Sequence, residues 1–327
     1  MTLRLRFAAL ACACLVFTAS AHAADAVLDK VIALARTQAL NGDQPDWPAV
    51  EREAYARLAA TPGEDGRTAA IRFVLASLKE RHSVYYPPRK ASSASRGVGR
   101  PQPASAVPAT ITPIAQAHTA EGAIDRLTIN TWSDGGGGAV PMAVAAQSVR
   151  SALNEVLSST RCGVIVDIAN NTGGNMWPMM SGIAPLYDEG TLEYFERRDD
   201  ARKPIQRRGD AILYGDIAPF FADLPALKRR PSHIAVILGP RTMSSGEILA
   251  LGFKGQRNVR FFGRPTGGFT TSNNSYRLEN GGLLALTTAR ILDRGGTVQH
   301  GPVLPDEVTD QPLEAARSWL KARCQEH

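Results

Sequence analysis

Two segments of the sequence carry residue types suited to chemistry at a carbonyl group, and the first is residues 241–249, RTMSSGEIL. Ser244 follows a predicted strand that ends at Leu238 and precedes a predicted helix. A serine at such a turn lies at the positive end of the helix dipole, where free backbone N–H groups can stabilise an oxyanion. The spacing Ser244-x-x-Glu247 is equally typical of a capping box. Ser244 is therefore a predicted N-cap and a candidate nucleophile at once.

The second segment is residues 164–174, VIVDIANNTGG, in which a β-branched run ends in a glycine pair. Glycines after a buried strand let the backbone approach a ligand closely and turn its N–H groups outward. Gly173 and Gly174 could equally form an ordinary left-handed turn. Alone, the pair is weak evidence for a binding site.

A serine hydroxyl becomes a good nucleophile when a neighbouring base takes its proton, and neutral imidazole suits that task near pH 7. His82 ends a helical pattern, where a histidine also serves as a surface residue that complements the helix dipole. The competing histidines are His118, His233 and His300. His233 opens a predicted strand, so a structural role is expected for it.

From about residue 122, short apolar strands alternate with helical patterns, which predicts an α/β fold with its site outside the carboxyl ends of the strands. Asn280-Gly281-Gly282 is typical of a hairpin turn. The predicted strands are residues 126–130, 163–168, 234–238, 259–262, 276–278 and 283–289, and a helix is predicted over residues 140–157.

The residues before about 122 show no alternation of strands and helices. Arg4 and Arg6, an apolar run over residues 7–17 and the small residues Ala21 and Ala23 predict a cleavable signal peptide. A buried helix and a lipoprotein anchor are the alternatives. Three short helical patterns and a Pro/Ser-rich stretch follow. The predicted organisation is a signal peptide (1–23), an N-terminal helical domain (24–90), a linker (91–121) and a core (122–327).

Composition narrows the function classes. An apolar fraction of 44% suits a globular protein. The basic clusters are scattered and lack interleaved aromatic residues, so no nucleic-acid partner is predicted. No Cys/His spacing is of the metal-binding type, so no metal or cofactor is predicted. Cys162 and Cys324 remain after processing, and an oxidising compartment would allow them to pair.

Four segments, in this order, resemble the motifs of the C-terminal processing, or tail-specific, serine protease family. That family reads aliphatic-Asp-x-Arg-x-Asn-x-Gly-Gly, then Ser-x-x-Glu, then Gly-Glu-x-Thr-x-Gly, then Gly-x-x-Pro-Asp. The resemblance covers roughly residues 122–310 and implies a ClpP/crotonase-like βα core. The matching segments are residues 164–174, 242–247, 263–268 and 301–306.

The resemblance implies Ser244 as the nucleophile and an oxyanion hole built from the backbone N–H of Ser245 and that of Gly173 or Gly174. Two departures matter: Phe269 stands where the best-known members have a lysine base, and Ala169 replaces the arginine of the first motif.

A branch that resembles the nisin-resistance and tricorn-core proteases uses a histidine from the N-terminal part instead of the lysine. The segment that contains His82-Ser83 matches its position. In that branch Glu247 would also support the histidine, so the implied catalytic set is Ser244, His82 and Glu247.

The resulting hypothesis is an exported, periplasmic or secreted serine endopeptidase that cleaves peptides or protein tails near the C-terminus through an acyl-enzyme. Its partners would be peptide or protein substrates, without stable membrane insertion. Because the lysine is missing, an inactive protein that binds a peptide or an apolar ligand on the same fold is the alternative. A crotonase-like acyl-CoA enzyme is a third possibility, which the export signal disfavours. Substrate identity and oligomeric state stay open.

Overall fold

The computed structural model describes residues 25–88, 113–119, 124–133, 141–159, 163–218 and 223–325. The predicted signal peptide and most of the predicted linker lie outside these residues. No helix in the described ranges is long and apolar enough to cross a membrane.

Three helices open the described chain, and they confirm the helical patterns read from the sequence. They are α1 (Ala26–Gln38), α2 (Trp47–Ala60) and α3 (Glu64–Ser77). The side chains of Asp25 and Asp46 cap the first two helices by accepting backbone N–H bonds. The apolar faces of the helices meet in one core, which we call the helical unit.

A parallel sheet forms the centre of the protein. Its spatial order is β12 (Glu307–Val308), β9 (Val259–Gly263), β8 (His233–Leu238), β4 (Gly163–Asp167), β3 (Arg126–Ile129) and β2 (Ala115–His118), and only β2 runs antiparallel. Strands β4 and β8 are almost wholly apolar and buried, as expected of parallel strands covered on both faces.

A second sheet is antiparallel throughout. It contains β1 (Val84–Tyr86), β5 (Gly190–Arg197), β6 (Arg202–Arg208), β7 (Ala211–Tyr214), β10 (Thr271–Arg277) and β11 (Leu283–Asp293). Strands β1 and β5 pair with the two ends of one edge of the long strand β11, and β10 pairs with the opposite edge. Strand β6 pairs with β5, and β7 pairs with β6.

The main core lies between the two sheets and contains α4 (Met142–Ser159), α5 (Met176–Ile183) and α6 (Ser245–Phe253). Helix α7 (Pro312–Gln325) covers the opposite face of the parallel sheet, where Ala316 and Leu320 pack against Ile165 and Phe262. Cys324 in α7 is disulfide-bonded. Its predicted partner Cys162 lies outside the described residues, so that pairing stays a prediction.

The mixed α/β architecture agrees with the sequence analysis, but four details differ. Residues 115–118 form a strand, so the predicted linker is wrong at its C-terminal end. Strand β1 ends the segment that was predicted as helical. Strand β10 begins five residues before the predicted strand, and β11 extends four residues beyond its predicted end.

The helical unit is fastened to the β10–β11 hairpin. Leu278, Leu284 and Leu286 of the hairpin complete its apolar core. The Tyr85 hydroxyl donates to Glu64 Oε1 and accepts from Asn280 Nδ2, at 2.8 Å each. This docking fixes the short turn that joins α3 to β1.

Replacing Tyr85 by phenylalanine removes the hydroxyl that joins Glu64 to Asn280. Because two partly buried polar groups lose a partner, the free energy of unfolding should fall by about 1–3 kcal/mol. Tyr86→Phe is the matched control, since Tyr86 is the next residue on the strand and is 54% exposed. Urea denaturation followed by circular dichroism measures both. Equal midpoints for the two variants would contradict the docking role.

Candidate active site

Ser244 occupies the turn between β8 and α6 with φ 52° and ψ −118°. A positive φ is uncommon for a residue with a side chain and costs roughly 1–3 kcal/mol. The turn is held from the β4 side: Met243 N–H donates to Asn171 O at 3.0 Å, and the Thr242 hydroxyl donates to Ile168 O at 2.8 Å. The strained serine is therefore anchored between two adjacent parallel strands.

Glu247 forms the predicted capping box with Ser244. Its carboxylate, which is fully buried, accepts from Ser244 N at 3.0 Å and also from the Thr266 hydroxyl. The Gly268 and Phe269 N–H groups donate to it at 2.8 and 2.7 Å. Burial raises the pKa of Glu247, and these four hydrogen bonds oppose the shift. One carboxylate thus ties the Ser244 turn to the loop that precedes β10.

The imidazole of His82 lies between Ser244 and Thr271. Its Nε2 is 3.0 Å from Ser244 Oγ, and its Nδ1 is 2.7 Å from Thr271 Oγ1. With the proton on Nδ1, the ring donates to Thr271 and accepts from the Ser244 hydroxyl. This neutral tautomer is the one that a general base requires.

His82 is shielded from solvent on one side by the ring of Phe269, whose centroid lies 5.4 Å away in an edge-on arrangement. The guanidinium of Arg81 faces the same phenyl ring at 5.5 Å. Burial lowers the pKa of His82 below 6.5, while the negative charge of Glu80 raises it. The position at which the resemblance leads one to expect lysine thus holds an apolar residue that packs against the imidazole.

The glycine turn after β4 lies directly beside the serine. Gly173 has φ 106°, and a Cβ atom on it would be 2.9 Å from Ser244 Cβ and 3.3 Å from Oγ. The Gly173 N–H donates to Asn171 Oδ1 at 2.9 Å. The Ser245 hydroxyl donates to Gly174 O at 2.6 Å, which joins the start of α6 to the turn.

The backbone N–H groups of Gly174 and Ser245 differ from that of Gly173. Within the ranges that the structure covers, neither of them donates a hydrogen bond. Two free donors beside a serine hydroxyl match the requirement for stabilising a developing oxyanion. Of the two glycines that the resemblance left open, Gly174 therefore has the available donor.

The other predicted residues lie as follows. His118 contacts Thr128 on the outer strands, and His233 opens β8 against Trp319. Glu247 makes no hydrogen bond to His82 in the described structure; its four partners fix the backbone instead. Thr271 makes the contact to His82 that the resemblance assigned to Glu247. Sequence analysis did not single out Thr271, because only the tertiary pairing of β10 brings it there.

No group of three or more His, Cys, Asp or Glu side chains suited to a metal ion occurs among the described residues.

A sequence profile of peptidase family S41 matches residues 126–309, more than half of the chain. The chain belongs to peptidase family S41. The suspected family and the α/β fold class of the sequence analysis are confirmed.

Two curated relatives match parts of the chain. The nisin-resistance protein of Lactococcus lactis subsp. lactis is 35% identical over 162 residues, which is 49% of this chain and 50% of that protein. The carboxyl-terminal-processing protease of Synechocystis sp. is 27% identical over 175 residues, 52% of this chain and 36% of that protein. The chain thus spans half or less of these relatives.

Solved structures match over most of the chain. A lipoprotein from Streptococcus agalactiae has a TM-score of 0.71 at 25% identity and covers 91% of this chain and 96% of its own. The photosystem II D1 C-terminal processing protease has a TM-score of 0.57 at 17% identity and covers 90% and 96%. The latter likeness shows the fold alone.

Gly173→Ala should slow modification of Ser244 by a fluorophosphonate reagent about a hundredfold, because the added methyl group would displace the serine hydroxyl. Gly190→Ala is the matched control. Gly190 also has a positive φ, 96°, but nothing lies within 4 Å of the added Cβ. Both variants should lose about 1–2 kcal/mol of stability through backbone strain. Equal labelling rates in the two variants would show that the glycine turn does not constrain the serine.

Proposed function

We propose that this S41 peptidase is an exported serine endopeptidase that cleaves peptides or protein tails near their C-termini through an acyl-enzyme on Ser244. The observation that carries the proposal is the 3.0 Å separation between His82 Nε2 and Ser244 Oγ. It supports a nucleophile and a general base in hydrogen-bond contact, the arrangement that acyl transfer needs.

In the first step, Ser244 Oγ attacks the carbonyl carbon of the scissile bond and its proton passes to His82 Nε2. The tetrahedral intermediate carries a negative oxygen, which the N–H groups of Ser245 and Gly174 stabilise. His82 then gives the proton to the leaving amine nitrogen as the C–N bond breaks. A water molecule, deprotonated by the same imidazole, then attacks the ester carbonyl carbon; as the C–Oγ bond breaks, His82 returns the proton to Ser244 Oγ and the carboxylic acid is released.

Thr271 and Glu247 have different roles in this scheme. Thr271 accepts the Nδ1 proton of His82 at 2.7 Å, which fixes the tautomer that leaves Nε2 free to accept. Glu247 holds the strained Ser244 turn and the backbone of Phe269, and so keeps the phenyl ring against the imidazole. Glu247 is therefore a positioning residue in this proposal.

The exported location rests on the signal-peptide pattern at residues 1–23 and on the names of two similar proteins, a lipoprotein and a nisin-resistance protein. The proposed mature chain consists of the helical unit, which supplies His82, and a protease core from about residue 122. The proposed substrates are extracytoplasmic peptides or protein tails.

Ser244→Ala and His82→Ala should each abolish fluorophosphonate labelling and peptide hydrolysis by the purified mature protein. The fold should persist in Ser244→Ala, because loss of an N-cap side chain costs only about 1 kcal/mol. Cleavage of a peptide library, read by mass spectrometry, identifies the bond. Absent labelling of folded wild-type protein would favour the inactive binding protein. Unchanged hydrolysis in Ser244→Ala would remove Ser244 from the mechanism.

The labelling rate should depend on pH through His82, which acts only when it is neutral. Because burial lowers the pKa of His82, the rate should rise with pH and reach half of its maximum below pH 6.5. The measurement is the rate of fluorophosphonate labelling between about pH 4 and 8, the range over which a perturbed histidine titrates. A midpoint above 6.5 would contradict a buried base without a dominant acidic partner.

A further inference from the structure

The turn between α3 and β1 contains an acidic side chain to which the proposed mechanism gives no role. Glu80 is half-buried, and its carboxylate accepts from His82 N at 2.6 Å and from Ser83 N at 3.1 Å. A carboxylate that accepts two successive backbone N–H groups fixes the path of the chain between them. Glu80 therefore sets the backbone conformation at His82.

The antiparallel sheet clamps the same turn. The Thr287 hydroxyl on β11 lies 3.0 Å from Glu80 Oε2, and the Thr287 N–H donates to Ser83 Oγ at 2.9 Å. From β10, Asn273 Nδ2 donates to His82 O at 2.7 Å, and Asn273 Oδ1 lies 2.9 Å from Thr287 Oγ1. The network connects the acidic side chain, the backbone of His82 and both strands of the hairpin.

The proposed reaction also has an electrostatic demand. His82 becomes positively charged when it takes the serine proton, yet its Nδ1 faces a neutral hydroxyl, that of Thr271. Among the described residues no charged group hydrogen-bonds the ring nitrogens, so any electrostatic support acts from farther away. Other charged groups around this region are Arg72 on α3, Arg81 in the turn, Glu247 on α6 and Arg290, which pairs with Glu196, on β11.

The carboxylates of Glu247 and Glu80 are placed differently. Glu247 is surrounded by four donors that belong to the Ser244 turn and the loop before β10. Glu80 accepts from the backbone of His82 itself.

We infer that Glu80 is a positioning residue for the proposed reaction: it aims the imidazole of His82 at Ser244 and supplies the negative charge that supports the imidazolium. The inference rests on the proposed function. Glu80 raises the pKa of His82 against the effect of burial, which agrees in sign with this role.

Glu80→Gln, which keeps the shape and removes the charge, tests the inference with p-nitrophenyl acetate as the acyl donor. We expect kcat to fall about tenfold, part of the usual contribution of general base catalysis, with KM unchanged. The acid limb of the kcat/KM profile should move to lower pH, because the pKa of His82 falls further when the supporting anion is lost. Glu279→Gln, an exposed change at the tip of the same hairpin, is the matched control and should match wild type.

Two more variants separate charge from geometry. Thr287→Val removes the hydroxyl that contacts Glu80 but keeps the Glu80 carboxylate. We therefore expect kcat to fall while the acid limb of the kcat/KM profile stays at the wild-type pH. Glu80→Asp should keep that limb and retain more activity than Glu80→Gln. An unmoved acid limb in folded Glu80→Gln overturns the inference. If circular dichroism shows Glu80→Gln to be unfolded, a lowered limb in Glu80→Asp overturns it and a wild-type limb supports it.

The controls distinguish this inference from the proposed function. If Ser244→Ala or His82→Ala hydrolyses the ester like wild type, the proposed function fails and the inference fails with it. If both lose activity and Glu80→Gln keeps the wild-type pH profile, only the role of Glu80 is wrong.

Discussion

The carboxylate of Glu247 joins the two loops on which the site is built. It is fully buried and accepts from the Ser244 backbone on one side and from residues 266–269 on the other. Burying a carboxylate is unfavourable in free energy unless its oxygens accept hydrogen bonds, so losing any of the four donors would destabilise the fold. Straightening the strained turn at Ser244 would cost this buried carboxylate one of its four donors, which favours the observed conformation. The position of Phe269, and through it the packing around His82, depends on the same contact.

The site combines groups from three structural layers. The parallel sheet provides the serine and the glycine turn at the carboxyl ends of neighbouring strands β8 and β4. The helical unit provides His82, and the β10–β11 hairpin provides Thr271 and the clamp on the histidine turn. Membership of peptidase family S41 explains the sheet and its motifs. The proposed general base depends instead on how the helical unit docks on the hairpin.

The sequence analysis identified the residues that local motif spacing places at the candidate site. Ser244 and the Gly173-Gly174 pair follow apolar strands in a pattern that is visible in a single sequence, and buried parallel strands are recognisable as short β-branched runs. It did not reach Thr271, whose strand, TSNNSYR, is a polar edge without apolar alternation. Strands β5 to β7 were not predicted, for a related reason. Strand β6, RKPIQRR, contains proline and four basic residues, which obscure the alternation of apolar and polar residues that marks a strand. Contacts between residues that are distant in the sequence, such as that of His82 with Thr271, cannot be predicted from local motif spacing.

The proposed nucleophile and its proposed base are 162 residues apart in the chain. The histidine lies on the segment that leaves the ribosome early, whereas the serine is made much later and acquires its geometry only when the parallel sheet and the hairpin have closed around it. Before that closure the chain has no imidazole next to the hydroxyl. In the proposed mechanism, an unfolded chain therefore lacks the arrangement that peptide hydrolysis needs, and activity depends on completion of the tertiary fold.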